Sequence, residues 1–290
     1  MTRVKPLCIA QISDFHFTRV TLNPLRLLSK RFLGLSNWFF FRKNELSAEQ
    51  VAMIPPLLRS RKAELVLLGG DFTSTALPSE FQDAKQWIDQ LDAPWIAVAG
   101  NHDCYTYRAF RNKHLYQAIQ NPKKANLFDL ARDGIEARQI RDGWWVIALD
   151  TARATNLYSS RGLFSEQLQE NLQAALDTIP QNSSILMLNH YPFFQHDSYR
   201  RTLKRSEELL KIVKSDCRIK LYLHGHTHRH TIANLQPSNL PIILDSGCAA
   251  LQKHGSWNLL TIDDHGIDIE VYQWQNQWTI TQKKRFEWTR

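Results

Sequence analysis

The chain contains no stretch of about 18 or more uncharged apolar residues, so no membrane-spanning helix is expected in it. Cysteine is sparse: Cys8, Cys104, Cys217 and Cys248 are scattered, with no C-x-x-C pair. That pattern excludes a disulfide framework and a thiolate zinc ribbon, and suits a reducing compartment. The apolar run that ends at Asp14 is too short for a secretory signal, so a cytoplasmic protein is expected. No internal repeat, low-complexity tract or Gly/Ser-rich linker interrupts the sequence, and one domain over residues 1–290 is the simplest organisation. Acidic residues are the minority, 28 against 36 Lys and Arg, leaving a formal charge of +8. Such a balance favours anionic partners, without choosing among phosphorylated substrates, nucleic acid and acidic membrane surfaces. What is plentiful is core material: 43% hydrophobic and 11% aromatic residues over 290 positions.

Short apolar runs alternate with helical patterns through the first three quarters of the chain. Leu7–Ile12, Leu65–Leu68, Trp95–Ala99, Trp144–Leu149, Ser184–Leu188 and Ile219–Leu223 read as strands. Helices are expected from Ser47 toward Lys62, over Pro78–Leu91, from Ser165 onward and over about Tyr199–Lys214. Ser47 and Gln50 have the spacing of a capping box, although Pro55-Pro56 must kink or shorten the helix they open. The runs Ile242–Asp245, Trp257–Ile262, Ile267–Trp274 and Trp278–Gln282 then follow as consecutive strands in a strand-rich part at about 240–290. Alternating βα units followed by a run of strands indicate an α/β body with antiparallel additions.

Polar residues punctuate this map at one kind of place. The first strand ends in Asp14-Phe15-His16, the second in Gly69-Gly70-Asp71 and the third in Gly100-Asn101-His102-Asp103. Later strands end in Asn189-His190 and in Gly225-His226-Thr227-His228. A single D-x-H or G-D carries no information, and one strand-end histidine is usually a hydrogen-bonded loop residue. Five such clusters at the carboxyl ends of strands, where ligands bind in open α/β sheets, are a different matter. Carboxylate, imidazole and amide donors together suit Mn, Fe or Zn as divalent ions, with Mn favoured. Seven donors exceed what one ion with an open position needs and suffice for two, held about 3.5–4 Å apart by a shared carboxylate.

In these five motifs, D-x-H, G-D, G-N-H-D, a lone His and G-H-x-H, the sequence from Asp14 to His228 resembles the calcineurin-like metallophosphoesterases. The resemblance implies a four-layer αββα sandwich of two mixed β-sheets flanked by helices, with the metal site at the carboxyl ends of the strands. It implies that Asp14, His16 and His228 hold one metal, that Asp71 bridges, and that Asn101, His190 and His226 complete the second. His102 would contact the phosphate as transition-state stabiliser or proton donor, and Asp103 would orient His102. The implied activity is hydrolysis of a phosphodiester or pyrophosphate bond by metal-activated hydroxide. His224 and His230 extend the alternation of His226 and His228, but Gly225 breaks the strand, so one shared face is not guaranteed. Cys104 reads as a packing residue. Arg153 and Arg161 read as solvated loop residues with the reach to meet a substrate phosphate.

The segment Arg19–Lys43 stands apart. It has six basic residues, no acid, and an apolar set that includes Phe32, Trp38, Phe39, Phe40 and Phe41. Asn23-Pro24 is a helix start, after which Leu25, Leu28, Phe32, Leu35 and Phe39 share a face. A basic amphipathic helix of this kind suits a membrane surface, peripheral to its inner face, and equally an ordinary packing helix with snorkelling cations. The membrane reading leads to an amphiphilic or lipid-linked substrate such as UDP-2,3-diacylglucosamine, within the same family resemblance. The alternative is a cyclic-nucleotide phosphodiesterase, which the stretch from Gly162 to Leu168 also resembles. A nuclease lacks any separate nucleic-acid-binding part here, and a non-enzymatic membrane adaptor does not need an intact ligand set.

Overall fold

Alternate residues of β1 (Leu7–Ile12) serve two different apolar clusters. Leu7 and Ile9 turn inward to meet Val146, Leu188, Leu223 and Leu244 of a second sheet. Ala10 and Ile12 turn outward, into the cluster that holds Val51, Ile54, Phe81, Ala84 and Trp87 of covering helices. A period of two with both faces apolar is what a strand buried between a sheet and a helix layer requires. The computed structural model describes residues 5–21, 45–121, 127–156, 158–195 and 197–289. The expected amphipathic helix that starts at Asn23-Pro24 lies outside the described residues.

The first sheet runs β1, β2 (Leu65–Leu68) and β3 (Trp95–Ala97) in parallel. The second is built on β4 (Ile135–Arg141), β5 (Trp144–Leu149), β7 (Ser184–Asn189), β9 (Ile219–His224), β10 (Thr231–Asn234) and β11 (Ile242–Asp245). A small two-stranded sheet pairs β6 (Gly162–Leu163) with β8 (Leu203–Lys204). Finally β12 (Ser256–Ile262), β13 (Gly266–Trp274) and β14 (Trp278–Glu287) return to the first sheet as an antiparallel meander, giving the order β14-β13-β12-β1-β2-β3. The second sheet is ordered β10-β11-β9-β7-β5-β4, with β5, β7, β9 and β11 parallel. Two mixed sheets face to face with helices outside are the four-layer α/β sandwich that the resemblance implied.

Local sequence explains most boundaries and some departures. The Ser165 hydroxyl caps the helix Glu166–Thr178 by accepting from Leu168 N at 3.1 Å. Leu168, Leu172, Ala175 and Leu176 then form its buried stripe. The Ser47–Gln50 capping box does not form. The Gln50 amide instead donates to the Ala249 and Leu251 carbonyls at 2.6 and 2.7 Å. The helix breaks at Met53, and a second one, Ile54–Ser60, places the prolines in its first turn. The stretch expected to be one helix from Tyr199 is a 3₁₀ turn, then β8, then the helix Ser206–Ser215. The hairpin partner β4 was not expected, although Asp142-Gly143, with Gly143 at φ +74°, is a strong two-residue turn signal.

Near the edge that carries the motifs, the two sheets are tied by polar groups. The fully buried Gln11 donates from Nε2 to the carbonyls of His224 (3.1 Å) and Leu244 (2.9 Å) across the interface. Its Oε1 accepts from Asn258 Nδ2 at 3.0 Å, and Asn258 Oδ1 lies 2.7 Å from His230 Nε2. Replacing Gln11 with Leu strands Asn258 and removes two donors from buried carbonyls, so Gln11→Leu should lower unfolding stability by about 2 kcal/mol or more. Urea unfolding should show the loss as a lower midpoint at unchanged slope; an unchanged midpoint would refute the bridging role.

Candidate metal centre

The carboxyl ends of β1, β2, β3, β7 and β9 deliver all five motifs to one edge of the two sheets. Main-chain bonds hold the first two loops side by side: Asp14 N to Gly70 O (2.9 Å), His16 N to Asp71 O (3.0 Å) and Phe17 N to Phe72 O (2.8 Å). Asp14, His16, Asp71, His226 and His228 all sit in the left-handed region, at φ 60°, 48°, 54°, 71° and 57°. For L-residues that conformation costs about 1 kcal/mol or more each, and it is tolerated where the surroundings dictate it. Two glycines permit the close approach. A Cβ on Gly100 would run into the Asp71 carboxylate and amide, and one on Gly225 into Ser13 and the Asp14 carboxylate.

The resulting donor atoms form two groups that share Asp71. In the first, His16 Nε2 and His228 Nε2 are 3.0 Å apart, and Asp14 Oδ1 lies 3.1 Å from His228 Nε2 and 3.8 Å from His16 Nε2. Asp14 Oδ1 and His16 Nδ1 are both buried, and His16 Nδ1 has no hydrogen-bond partner. In the second, His190 Nε2 meets His226 Nδ1 at 3.2 Å, Asn101 Oδ1 at 3.3 Å and Asp71 Oδ2 at 3.5 Å.

Neighbouring carbonyls decide which imidazole nitrogens are left to face inward. His190 Nδ1 lies 2.7 Å from the Gly69 carbonyl, which fixes the proton there and turns the Nε2 lone pair to the centre. His226 has the opposite arrangement: its Nε2 lies 2.9 Å from the Arg201 carbonyl, so Nδ1 faces in. Two imidazole lone pairs at 3.2 Å repel unless a cation or proton sits between them. The charges agree. Burial raises the Asp14 carboxyl, but His228 against it and His190 beyond pull it down to about 2. Asp71 is likewise held well below the usual carboxylate range, burial being outweighed by His190 and His102. Burial depresses His190, yet Asp71 and Asp14 carry it up to about 9, a proton answering the need for positive charge. Burial, with His102 and His228 beside it, keeps His16 neutral, well below its ordinary value. Ionised carboxylates, an amide oxygen and inward lone pairs form a donor set that fits a pair of divalent cations.

His102 stands beside this set without joining either group. Its N–H donates to Asp71 Oδ1 at 2.8 Å, and its ring Nδ1 lies 2.7 Å from the Ser74 carbonyl. Ser74 therefore orients the ring, where Asp103 was expected to. The Asp103 carboxylate is taken up by the amides of Gly100 (2.9 Å), Thr73 (2.9 Å) and Phe72 (3.3 Å) and by the Thr73 hydroxyl (3.1 Å). Burial and the Asp71 charge push it up to about 7 against those amides. Its role is to fasten the Asp71 loop to the Asn101 loop.

An open cavity of about 170 Å³ lies over the centre, lined by Asp71, Asn101, His102, His226 and His228, with Ser160, Asp197 and Arg201 on its outer side. His224 is turned away, its Nδ1 3.4 Å from Asp245, and His230 is held by Asn258; neither belongs to the two groups. Cys104 is buried in the core. Sequence reasoning missed Ser74, Arg201 and Cys248. Cys248 donates its thiol to the Asp14 carbonyl at 3.1 Å and lies within reach of His16 and His228. The first two act through backbone carbonyls, which leave no mark on residue type.

A family model, calcineurin-like phosphoesterase, matches residues 8–230. A 3′,5′-cyclic-nucleotide phosphodiesterase of Nostoc sp. is 25% identical over 79% of this chain and 74% of its own length. A Synechococcus protein named a probable cyclic nucleotide phosphodiesterase is 24% identical over 97% of this chain and 95% of its own. Among solved structures, a dimetal phosphatase from Danio rerio superposes with a TM-score of 0.73 at 13% identity, covering 98% of this chain and 99% of that one.

The Gly100 contact supplies a direct test. Gly100→Ala must displace the Asp71 carboxylate, and should reduce bound metal, read by atomic absorption after gel filtration, to a small fraction of the wild-type content while far-UV circular dichroism stays unchanged. Full metal content in that variant would sink the account of Gly100.

Proposed function

The chain belongs to the calcineurin-like phosphoesterase family and is a metal-dependent phosphohydrolase, and we propose that it hydrolyses the phosphodiester bond of a nucleotide, as a cyclic-nucleotide phosphodiesterase does. What carries this reading is a relative named for cyclic nucleotides that aligns over nearly the whole chain, together with a site in which no donor position is missing.

We assign Asp14, His16 and His228 to one ion, Asn101, His190 and His226 to the other, and Asp71 to both. The ions, manganese first among the divalent metals that suit these donors, supply Lewis-acid charge neutralisation and acidify water when bound. The protein's own part is positional and protonic. Gly69 and Arg201 fix the tautomers of His190 and His226. Ser74 holds the Nδ1–H of His102, which leaves proton exchange with a leaving oxygen to Nε2. The His102 main-chain bond to Asp71 sets that ring at a fixed distance from the shared carboxylate. Asp103 keeps the two loops in register without touching substrate.

A second reading has one observation in its favour. The described residues that flank Arg19–Lys43 in sequence lie beside the centre: Thr18 Oγ1 meets the His16 carbonyl at 2.9 Å, and Ser47 N donates to the carbonyl of Ala250, whose own N–H donates to Asp14 O at 3.3 Å. The basic and aromatic composition of Arg19–Lys43 would suit contact with acyl chains, and among the described residues no helix is long and apolar enough to cross a membrane. The relatives give no support to a lipid-linked substrate such as UDP-2,3-diacylglucosamine, so the nucleotide reading stands first.

Manganese-loaded protein should cleave bis(4-nitrophenyl) phosphate and 3′,5′-cyclic AMP, and Asp71→Asn should abolish both activities. His102→Ala should lower kcat by about 10²–10⁴ with metal content unchanged. Release of UMP from detergent-dispersed UDP-2,3-diacylglucosamine with no cleavage of cyclic AMP would reverse the order of the two readings. Inertness toward all three would defeat both.

A further inference from the structure

A larger cavity, of about 500 Å³, opens next to the one over the centre. Arg153, Arg161, Arg200 and Lys204 line it, and among the described residues no acidic one does. Among the described residues none of these four cations forms an ion pair, whereas nearby Arg201 is paired with Asp197 at 3.0 Å. The Nε of Arg161 is buried without a hydrogen-bond partner. Three tyrosines share the same cavity: Tyr107, Tyr158 and Tyr199, exposed by 61%, 73% and 71%. Single exposed aromatics are ordinary on a protein surface; three gathered around unpaired cations need an explanation. The Arg161 guanidinium lies over the Tyr199 ring, 3.7 Å from its centroid, so this cation is held in place before any ligand arrives.

One wall separates the two cavities. Ser160 and Arg201 face the metal side, while Ser159, Arg161 and Arg200 face the basic side. The wall is stitched by Ser160 N–H to Arg200 O at 2.9 Å, and anchored from behind by the buried Tyr191, whose hydroxyl donates to Ser160 O at 2.8 Å. A molecule whose scissile phosphate sits over the centre crosses only this wall to reach the tyrosines. Flat aromatic faces stack with nucleobases, and guanidinium and ammonium groups take phosphate. A 3′,5′-cyclic mononucleotide has a single phosphate, which the centre takes, and would leave four cations unmatched.

We propose that this cavity is a second subsite, which takes a nucleobase and a further phosphate, so that the preferred substrate is a nucleotide with at least two phosphate groups, one cleaved and one anchored. The inference rests on the phosphodiesterase reading above and narrows it. Arg153 and Arg161 supply the anchoring charge, Lys204 and Arg200 the surrounding positive field, and Tyr158 the stacking face.

The test compares bis(4-nitrophenyl) phosphate, 3′,5′-cyclic AMP and 5′-phosphoadenylyl-(3′→5′)-adenosine on manganese-loaded protein. The linear dinucleotide should have the highest kcat/KM of the two nucleotides. In the Arg153→Gln/Arg161→Gln variant its KM should rise by about tenfold or more, as expected for lost charge-assisted hydrogen bonds, with kcat and the cleavage of bis(4-nitrophenyl) phosphate unchanged. Calorimetric titration of the dinucleotide into metal-free protein should show the same loss of affinity without turnover. Tyr158→Ala should weaken the dinucleotide but not inorganic pyrophosphate; equal weakening of both would overturn the nucleobase and leave a phosphate site alone. An unchanged KM for the dinucleotide in the double variant would overturn the subsite. A parallel loss on bis(4-nitrophenyl) phosphate would mark the variant as structurally damaged, and the calorimetry with Tyr158→Ala then decides. Wild-type protein inert toward bis(4-nitrophenyl) phosphate would bring down the phosphodiesterase reading itself, whatever the titration gives.

Discussion

Electron pairs that point at one another are the constraint on which this edge of the molecule depends. Two imidazole nitrogens at 3.0 Å, another pair at 3.2 Å and two ionised carboxylates converge in a largely buried space. Unless a proton or a cation sits between them they repel, and burial makes the repulsion stronger than it would be in water. The protein holds them there through backbone it would not otherwise adopt. Five left-handed L-residues cost together about 5 kcal/mol or more, as much as the net stability of many whole domains. Such an arrangement persists only because the strands behind it are fixed independently. Cation binding is then linked to folding, since the unfolded chain has no preformed set of donors to offer.

The scaffold that withstands this strain is apolar and two-layered. Residues of both sheets interdigitate in a core to which β1 contributes Leu7 and Ile9, while the opposite face of the same strand packs under helices. Close to the edge the filling turns polar, and Gln11, Asn258 and His230 replace hydrophobic contacts by hydrogen bonds that fix how one sheet sits on the other. Donors from the first sheet (Asp14, His16, Asp71, Asn101) meet donors from the second (His190, His226, His228), so the distance between sheets is also the distance between the halves of the centre.

Much of this was legible in the sequence, for a physical reason. A strand buried on both faces is a short apolar run, and a polar triplet that ends it is conspicuous; hence Asp14, Asp71, Asn101, His190 and His226 could each be placed at a strand end. The strand-to-helix alternation likewise announced an α/β body, while the two-sheet sandwich was implied by the resemblance of the five motifs. Other parts were hidden. Ser74 and Arg201 orient His102 and His226 through main-chain carbonyls, which any residue possesses. Asp103 reads as a partner for the adjacent imidazole, yet three backbone amides outbid that ring. Gln50 has the spacing of a cap, and tertiary contact with Ala249 and Leu251 claims it. β10, with Thr231 and Asn234 exposed, lacks the apolar signature because it is an edge strand.

The place of β1 in its sheet has a consequence for how the chain is made. Leu7 pairs with Ile262 on one side, while on the other Ile9 pairs with Leu65, so the two partners of the first strand are synthesised far apart in time. A nascent chain has all the donor residues once His228 has left the ribosome, but one edge of β1 stays unpaired until β12 emerges. Through that interval the protein carries an open, apolar strand edge and an unsupported set of crowded donor groups. Assembly of the centre is thus a late event, gated by the arrival of a carboxyl-terminal meander that contributes none of the seven donor atoms to it.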